Sequence, residues 1–370
     1  MKRGGVREGA GGRQHDAAGA RRSHGPCVSA LLFFCYTLVG SVVALSGRTI
    51  HAEEACTEPG WATHQLEVVA TQRTSVINST SLPDSFFGVE GGHIIKAGAD
   101  LFTVITEFNA PPLWVPSRIA LWRASLAQGE SWPTSWTRVR ALFVSGGKTD
   151  CINRRASLGS SAALAWNATS ERYEVFYVGF VSCNDTNFVN RRGRIYRAVA
   201  DTPGLAGLAG SFTDAGVVLQ PEVGAQRWEG TQGTDSMQPY SLGDNKGWAA
   251  FYGSAGVTPT GTNLGQRVGL AFAPHLSGPW RRAGDNPVNL SAYVRHIEQP
   301  MVTKLRDGTF AAVFDALDHE GKGMIGYAWS RDGVTAPQHS NLISVNHRLP
   351  HYSLGSQIES LCCRAGAVGP

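Results

Sequence analysis

The sequence predicts an all-β protein, a five-bladed β-propeller that follows an N-terminal signal peptide or signal anchor. Three observations predict this fold. A group of three strand-like runs recurs four times in the same order, turn signals separate the runs, and no long segment shows the 3.6-residue apolar period of a helix. The 370 residues are enough for one large all-β domain behind an N-terminal segment.

The composition is that of a globular protein rich in turns. Hydrophobic residues make up 42% of the chain and charged residues 17%, and the 44 glycines allow many tight turns. The formal net charge is +4, and much of it comes from basic residues in the N-terminal tail. A basic flank ahead of an apolar segment is enough to account for that charge. The composition therefore gives little support to a nucleic-acid partner.

Residues 28–46 predict a cleaved signal peptide or a transmembrane signal anchor. The run Val28–Leu45 is apolar, and the basic tail 1–27 precedes it, which predicts a cytosolic tail. Small residues suited to cleavage favour a secreted protein, whereas the long tail favours a type II single-pass membrane protein. In both cases residues 47–60 form a linker, and the propeller of residues 61–370 lies in the secretory pathway lumen or outside the cell.

Sequons and cysteines agree with that compartment. Glycan acceptor sequons occur at four positions, Asn78, Asn167, Asn184 and Asn289. The cysteines beyond the apolar run lack the CxxC spacing of a metal site, and no metal or cofactor is predicted. Disulfides are the default in an oxidising lumen. Cys151 and Cys183 are the preferred pair because they flank one predicted blade.

The recurring unit is an antiparallel meander of three strands. Its second strand gives the clearest match, at Leu101, Tyr173, Trp248 and Phe310. The intervals are 72, 75 and 62 residues, which suits a propeller blade. Residues 334–360 are expected to begin a fifth blade, and His64–Gln72 has the pattern of an outer strand that closes the ring. A β-sandwich with accidental self-similarity is the alternative.

Acidic residues open the first strand in three of the four units. Glu90, Asp235 and Glu298 precede the aligned second-strand positions by 11, 13 and 12 residues. Innermost strands begin near the propeller axis, so these carboxyls are expected to meet there. Converging carboxyls repel one another when ionised, so some pKa values rise and a proton is retained. Hydrolysis of a glycosidic bond needs such a pair, one carboxyl to protonate the leaving oxygen and one carboxylate to activate water or attack the sugar. At any single position, a carboxylate that only caps a turn is the alternative.

With these features the chain resembles the five-bladed propeller glycosidases, above all glycoside hydrolase family 43 and related families that act on furanosides and fructans. The resemblance covers roughly residues 85–335. It implies that Glu90 on the first blade is the base and that Asp235 on the third orients the site and tunes the acid. It also implies that Glu298 on the fourth blade, followed two residues later by Pro300, is the general acid.

The first-blade position departs from the family's pattern. It holds Glu90 in place of the usual aspartate, and no proline follows it. One added methylene moves a carboxylate by about 1.5 Å, and a shift of that size can change a rate about a hundredfold. Asp84 is a competing candidate for the base. Beside a hydrolase, the alternatives are a transglycosidase, a phosphorylase and a secretory-pathway propeller that binds sugar without cutting it.

Four further residues are predicted to contact a carbohydrate substrate: His93, Trp228, Arg267 and His296. His93 follows Glu90 by three residues, and His296 precedes Glu298 by two. Trp228 offers a stacking surface, although core packing is the usual role of a propeller tryptophan. A phosphorylase would need a cation such as Arg267 to bind phosphate at the mouth of the central funnel of the propeller. The predicted partner is thus a carbohydrate, and membrane contact is expected only through the N-terminal segment.

Overall fold

The computed structural model describes residues 77, 88–108, 117–126, 133, 135–146, 157–180, 192–221, 227–230, 232–243, 245–257, 263–288, 296–317, 319–321 and 323–335. Within these ranges the chain forms sixteen strands in four antiparallel sheets. A four-residue helix, α1 (Ala206–Ala209), and a 3-10 turn over Arg227–Glu229 are its helical segments. The prediction of an all-β propeller is confirmed.

The first blade consists of five strands, β1 (Gly88–Glu90), β2 (Ile95–Ala97), β3 (Asp100–Phe108), β4 (Ser117–Ser125) and β5 (Thr137–Val144). Strands β1 and β2 both pair with β3, so they are the two halves of one interrupted innermost strand. The order from the axis outward is therefore β1 and β2, then β3, β4 and β5.

The second and third blades are four-stranded meanders. The second consists of β6 (Ser157–Asn167), β7 (Arg172–Phe180), β8 (Arg194–Ala200) and β9 (Phe212–Leu219). The third consists of β10 (Asp235–Ser241), β11 (Trp248–Val257), β12 (Asn263–Ala273) and β13 (Arg281–Arg282). In both blades consecutive strands pair as neighbours, as the recurring sequence unit predicts.

The fourth blade is described as three strands, β14 (His296–Lys304), β15 (Phe310–Leu317) and β16 (Gly323–Ser330). The described residues thus form four blades, one fewer than the predicted five. The residues predicted to supply the fifth, His64–Gln72 and 334–360, lie outside the described ranges except for 334 and 335.

Several predictions fall on residues that the structure does not describe. They concern the signal or anchor 28–46, the linker, and the following individual residues: Asp84, Cys151, Cys183, Asn78, Asn184 and Asn289. Among the described residues, no helix has the length and apolarity needed to cross a membrane.

Packing of each blade between its neighbours explains the apolar second strands. Successive side chains of a strand point to opposite faces of the sheet. On β7, Val175 and Tyr177 join a core cluster with the first blade, whereas Phe176 and Val178 join a cluster with the third. Both faces of β7 are therefore buried, which is why its sequence is a nearly continuous apolar run rather than an alternating one.

A buried ion pair ties the outer strands of the first blade together. The carboxylate of Glu107 on β3 is fully buried and accepts hydrogen bonds from Trp122 Nε1 at 3.0 Å and from Arg138 Nε at 2.8 Å. Arg118 on β4 donates to its second oxygen. Because two guanidinium groups depend on this carboxylate, its removal leaves buried positive charge without compensation.

Glu107→Gln is expected to lower the free energy of unfolding by about 3–5 kcal/mol, because the partners of a broken buried ion pair stay desolvated. The matched control is Asp100→Asn in the same blade, where Arg123 is 52% exposed, and its expected cost is below about 1 kcal/mol. Denaturant unfolding of both variants measures the difference. Equal losses would show that the burial of Glu107 is not what stabilises this blade.

Candidate active site

Each innermost strand is interrupted at the same place in its blade. In the first blade Glu90 pairs with Thr106 and Ile95 with Phe102, so the inner strand has one residue more than its partner. Register shifts of the same kind follow the axial residues of the other three blades, Gly159, Asp235 and Glu298. A β-bulge bends its strand and re-aims a side chain. Three of the four interruptions follow an acidic residue directly.

The backbone at these interruptions is constrained. Ser236 and Gln299, which follow Asp235 and Glu298, have φ values of 37° and 50°, a region that side-chain-bearing residues rarely adopt. In the first blade the corresponding stretch contains Gly92, and a Cβ there would lie 1.8 Å from the carbonyl oxygen of Ala162 on β6. Only glycine allows the first blade to approach the second so closely.

Four carboxyls interact electrostatically near the axis: Glu90, Asp235, Glu298 and Asp315. Burial, together with the negative charges of Asp235, Glu298 and Asp315, raises the pKa of Glu90 well above its usual value. A hydrogen bond from Gln299 opposes this rise in the pKa of Glu90. Glu90 is nonetheless partly exposed. The cluster therefore favours the protonated form of a carboxyl that is partly exposed.

Asp315 is a member of the cluster that the sequence analysis did not assign to the site. It lies on β15 directly opposite Glu298. Burial and the charge of Glu298 raise the pKa of Asp315 to about 6, and His296 opposes the rise. The strand register could have indicated that Asp315 belongs to the site, because a residue that pairs with an axial acid also lies near the axis.

Asp235 is the most buried of the four carboxyls, and its burial limits what it can contact. Its exposed fraction is 4%, and the side-chain amide of Gln232 donates to its carboxylate. The next residue, Ser236, is equally buried. Asp235 is thus a fixed negative charge within electrostatic range of Glu90, with little surface for a substrate.

Glu298 is the more accessible carboxyl, and His296 lies beside it. The side chain of Glu298 is 32% exposed, and Nε2 of His296 is 3.6 Å from its Oε2. The backbone N–H of Gln266 donates to Nδ1 of His296 at 3.1 Å. An Nδ1 that accepts a hydrogen bond leaves the ring proton on Nε2, where it faces Glu298. The structure therefore places His296 beside Glu298, as the sequence predicted for a residue of the site.

The other predicted contact residues occupy different surroundings. His93 lies between β1 and β2, partly buried, and burial lowers its pKa. Trp228 packs within the third blade, 5.5 Å from the ring of Tyr252, so the structure gives it a role in core packing. Arg267 is exposed on β12.

Asn167 is buried, although it was predicted as a glycan acceptor. Its exposed fraction is 8%, and its amide nitrogen donates to Glu174 at 2.8 Å while its oxygen accepts from the backbone of Thr169. A glycan would reach this nitrogen only after that hydrogen bond opened. Within the part of the chain that the structure describes, no group of three His, Cys, Asp or Glu could hold a metal ion.

No protein-family model and no curated protein matches the sequence. Similar solved structures include glycoside hydrolases. A family 117 enzyme from the marine bacterium Zobellia galactanivorans is 17% identical, with a TM-score of 0.47 over 70% of each chain. An endo-arabinase from Bacteroides thetaiotaomicron is 14% identical, with a TM-score of 0.46 over 74% of this chain and 84% of that one. At this level of similarity these structures assign neither a family nor an activity to the chain.

Asp315→Asn is expected to raise the free energy of unfolding at pH 7 by about 1–3 kcal/mol. The pKa of Asp315 is about 6 in the folded chain against 3.8 for a free side chain, so its ionisation destabilises the fold. The cost is absent below about pH 4 and complete above about pH 6, and the variant's advantage should grow across that range.

Denaturant unfolding between pH 4 and 8 measures this advantage. The control is Asp285→Asn in an exposed turn, which should change stability by less than about 0.5 kcal/mol. A loss of stability in Asp315→Asn at pH 7 would contradict the repulsion inferred for this site.

Proposed function

We propose that this chain is a glycoside hydrolase that acts at the carboxyl cluster of Glu90, Asp235, Glu298 and Asp315. One observation carries the proposal. A carboxyl with a raised pKa is partly exposed beside a second accessible carboxyl, and the charges that raise the pKa come from acids on other blades. A proton donor and a carboxylate in one open site are what cleavage of a glycosidic bond requires.

The electrostatics favour Glu90 as the proton donor and Glu298 as the carboxylate. The raised pKa of Glu90 favours its protonated form, and a protonated carboxyl can donate a proton but cannot accept one from water. Glu298 has the exposure to meet a water molecule or a sugar, and His296 faces it through Nε2. These two roles are the reverse of those that the family resemblance implies.

Asp235 takes the role of a fixed charge in this proposal. It is too buried to contact a sugar over much surface, yet after burial its charge is the largest cause of the raised pKa of Glu90. The resemblance likewise implies a residue here that tunes the acid. In the present proposal Asp235 raises the pKa of the general acid Glu90, whereas the resemblance implies Glu298 as that acid.

Hydrolysis is better supported than phosphorolysis. The neighbouring charges that raise the pKa of Glu90 are all negative, so inorganic phosphate would be repelled from this region. Arg267, the described arginine that a phosphorylase was predicted to use, is exposed on the third strand of its blade. A neutral sugar meets no such repulsion, and the proposed substrate is therefore a neutral glycoside.

A leaving-group comparison tests the assignment. Aryl furanosides and pyranosides are first screened for turnover, and the best sugar is then prepared with a dinitrophenyl and with an alkyl leaving group. Glu90→Gln should cleave the alkyl glycoside about 10²–10⁴-fold more slowly, yet retain most activity on the dinitrophenyl glycoside, whose departure needs no proton. Glu298→Gln should lose activity on both substrates.

The control variant is Glu171→Gln, an exposed glutamate in the turn between β6 and β7, which should keep full activity. If the two variants exchange behaviours, Glu298 is the acid and Glu90 the base. If the wild-type chain cleaves no glycoside but binds one, the alternative of a sugar-binding propeller is favoured.

We also propose that the chain works in the secretory pathway, because residues 28–46 have the pattern of a signal peptide or anchor. In microsomes, a C-terminal tag should be protected from added protease until detergent is present. Digestion of the tag without detergent would contradict a lumenal propeller.

A further inference from the structure

Gln299 connects the fourth blade to the first across the site. It lies on β14 directly after Glu298, and its side-chain amide donates a hydrogen bond to Oε1 of Glu90 on β1. The two residues are 209 positions apart in the sequence. One side chain therefore reaches from the residue next to one site carboxyl to another site carboxyl.

The backbone of Gln299 is held in a conformation that its own side chain disfavours. Its φ of 50° falls in the left-handed region, within the bulge between Glu298 and Met301. Glycine is the residue that adopts this region without strain, and other residues there cost of order 1 kcal/mol. Such a cost persists where the side chain has a use, and the use visible here is the hydrogen bond to Glu90.

The amide also has the right chemistry for holding a carboxyl in a crowded acidic site. It is neutral, so it adds no charge to the field of Asp235, Glu298 and Asp315, which face Glu90 from β10, β14 and β15. It binds one carboxyl oxygen of Glu90 and leaves the other oxygen for a proton and a substrate.

The length of the side chain at position 90 matters for this contact. An aspartate there would withdraw the carboxyl by about 1.5 Å, the length of one carbon–carbon bond. A hydrogen bond extended by that distance is lost. The contact with Gln299 therefore depends on glutamate at this position.

We propose that Gln299 is a positioning residue that holds the carboxyl of Glu90 through its hydrogen bond. We also propose that glutamate can serve at position 90 because its side chain is long enough to accept that bond. The inference rests on the proposed function for its kinetic readout, and its titration readout is independent of activity. Gln299 itself donates no proton and forms no bond to the sugar.

Gln299→Gly separates positioning from stability. Glycine relieves the left-handed backbone and removes the amide, so the variant should unfold at the same denaturant concentration as the wild type or a higher one. Its kcat should fall about 10–100-fold while KM changes less than about twofold, because a misplaced acid affects the transition state. The matched control is Asn245→Gly, another left-handed residue in an exposed turn, which should keep its activity.

A double-mutant cycle tests the dependence on side-chain length. Gln299→Met removes the amide and keeps the approximate volume, and it should cost about 10–100-fold in kcat when Glu90 is present. In the Glu90→Asp background, where the contact is already lost, the same change should cost less than about twofold. Equal costs in both backgrounds would overturn the proposal, because a merely structural residue would act independently of position 90.

Infrared titration gives the readout that needs no activity. The carboxyl band of Glu90, identified by its loss in Glu90→Gln, should titrate at higher pH in Gln299→Gly than in the wild type, since the hydrogen bond from Gln299 lowers the pKa of Glu90. An upward shift without turnover of any glycoside would support the positioning and reject the hydrolase. No shift, or a downward shift, would reject the positioning whatever the activity.

Discussion

Mutual repulsion among four carboxyls near the propeller axis is the constraint on which the site depends. Burial and neighbouring negative charge both oppose ionisation of Glu90, and Asp315 is affected in the same way by Glu298. A chain free to relax would move these groups apart. They stay together because innermost strands place Glu90, Asp235 and Glu298, and pairing with Glu298 places Asp315 on β15. Bulges with unfavourable φ values at Ser236 and Gln299 set the local direction of two of those innermost strands.

The contrast with the other buried acids separates structure from function. Glu107, Glu174 and Glu229 are almost fully buried. Arginines neutralise each of them: Arg118 and Arg138, Arg197, and Arg282 respectively. Glu107 and Glu174 lie on the second strands of their blades and Glu229 in the 3-10 turn, and their arginines lie on strands farther from the axis, so these pairs stabilise the sheets. The axial acids instead have one another as charged neighbours, and burial together with those charges raises the pKa of Glu90.

The blades could be predicted from the sequence because short apolar runs and turn signals specify them, and the same pattern recurs in every blade. Strand runs such as β7 carry apolar residues on both faces, and the turns between strands recur at matching positions. Glu90, Asp235 and Glu298 could be grouped for the same reason, since equivalent positions in equivalent blades lie at the same radius from the axis. Their roles could not be read in this way, because the pKa of Glu90 depends on acids from other blades.

Asp315, Gln299 and Trp228 show where sequence reasoning reached its limit. Asp315 is marked as axial by its pairing with Glu298, and that register includes a bulge between Glu298 and Met301 that the segment FAAVFDAL does not reveal. The strained φ of Gln299 is invisible in a sequence that reads simply as Glu-Gln-Pro. Trp228 was ambiguous from the outset, and contact with Tyr252 inside the third blade assigns it to packing.

The bond between Gln299 and Glu90 makes the site dependent on the whole order of blades. Its two ends come from the first and fourth blades, 209 residues apart, so the entropy of closing that loop must be offset elsewhere. The apolar interfaces between successive blades provide the offset, since three of the core clusters each contain side chains from two adjacent sheets. Stability is therefore distributed around the propeller, whereas the chemistry is concentrated where distant strands converge. A substitution that loosens any one interface would displace Glu90 relative to Glu298 without touching either residue.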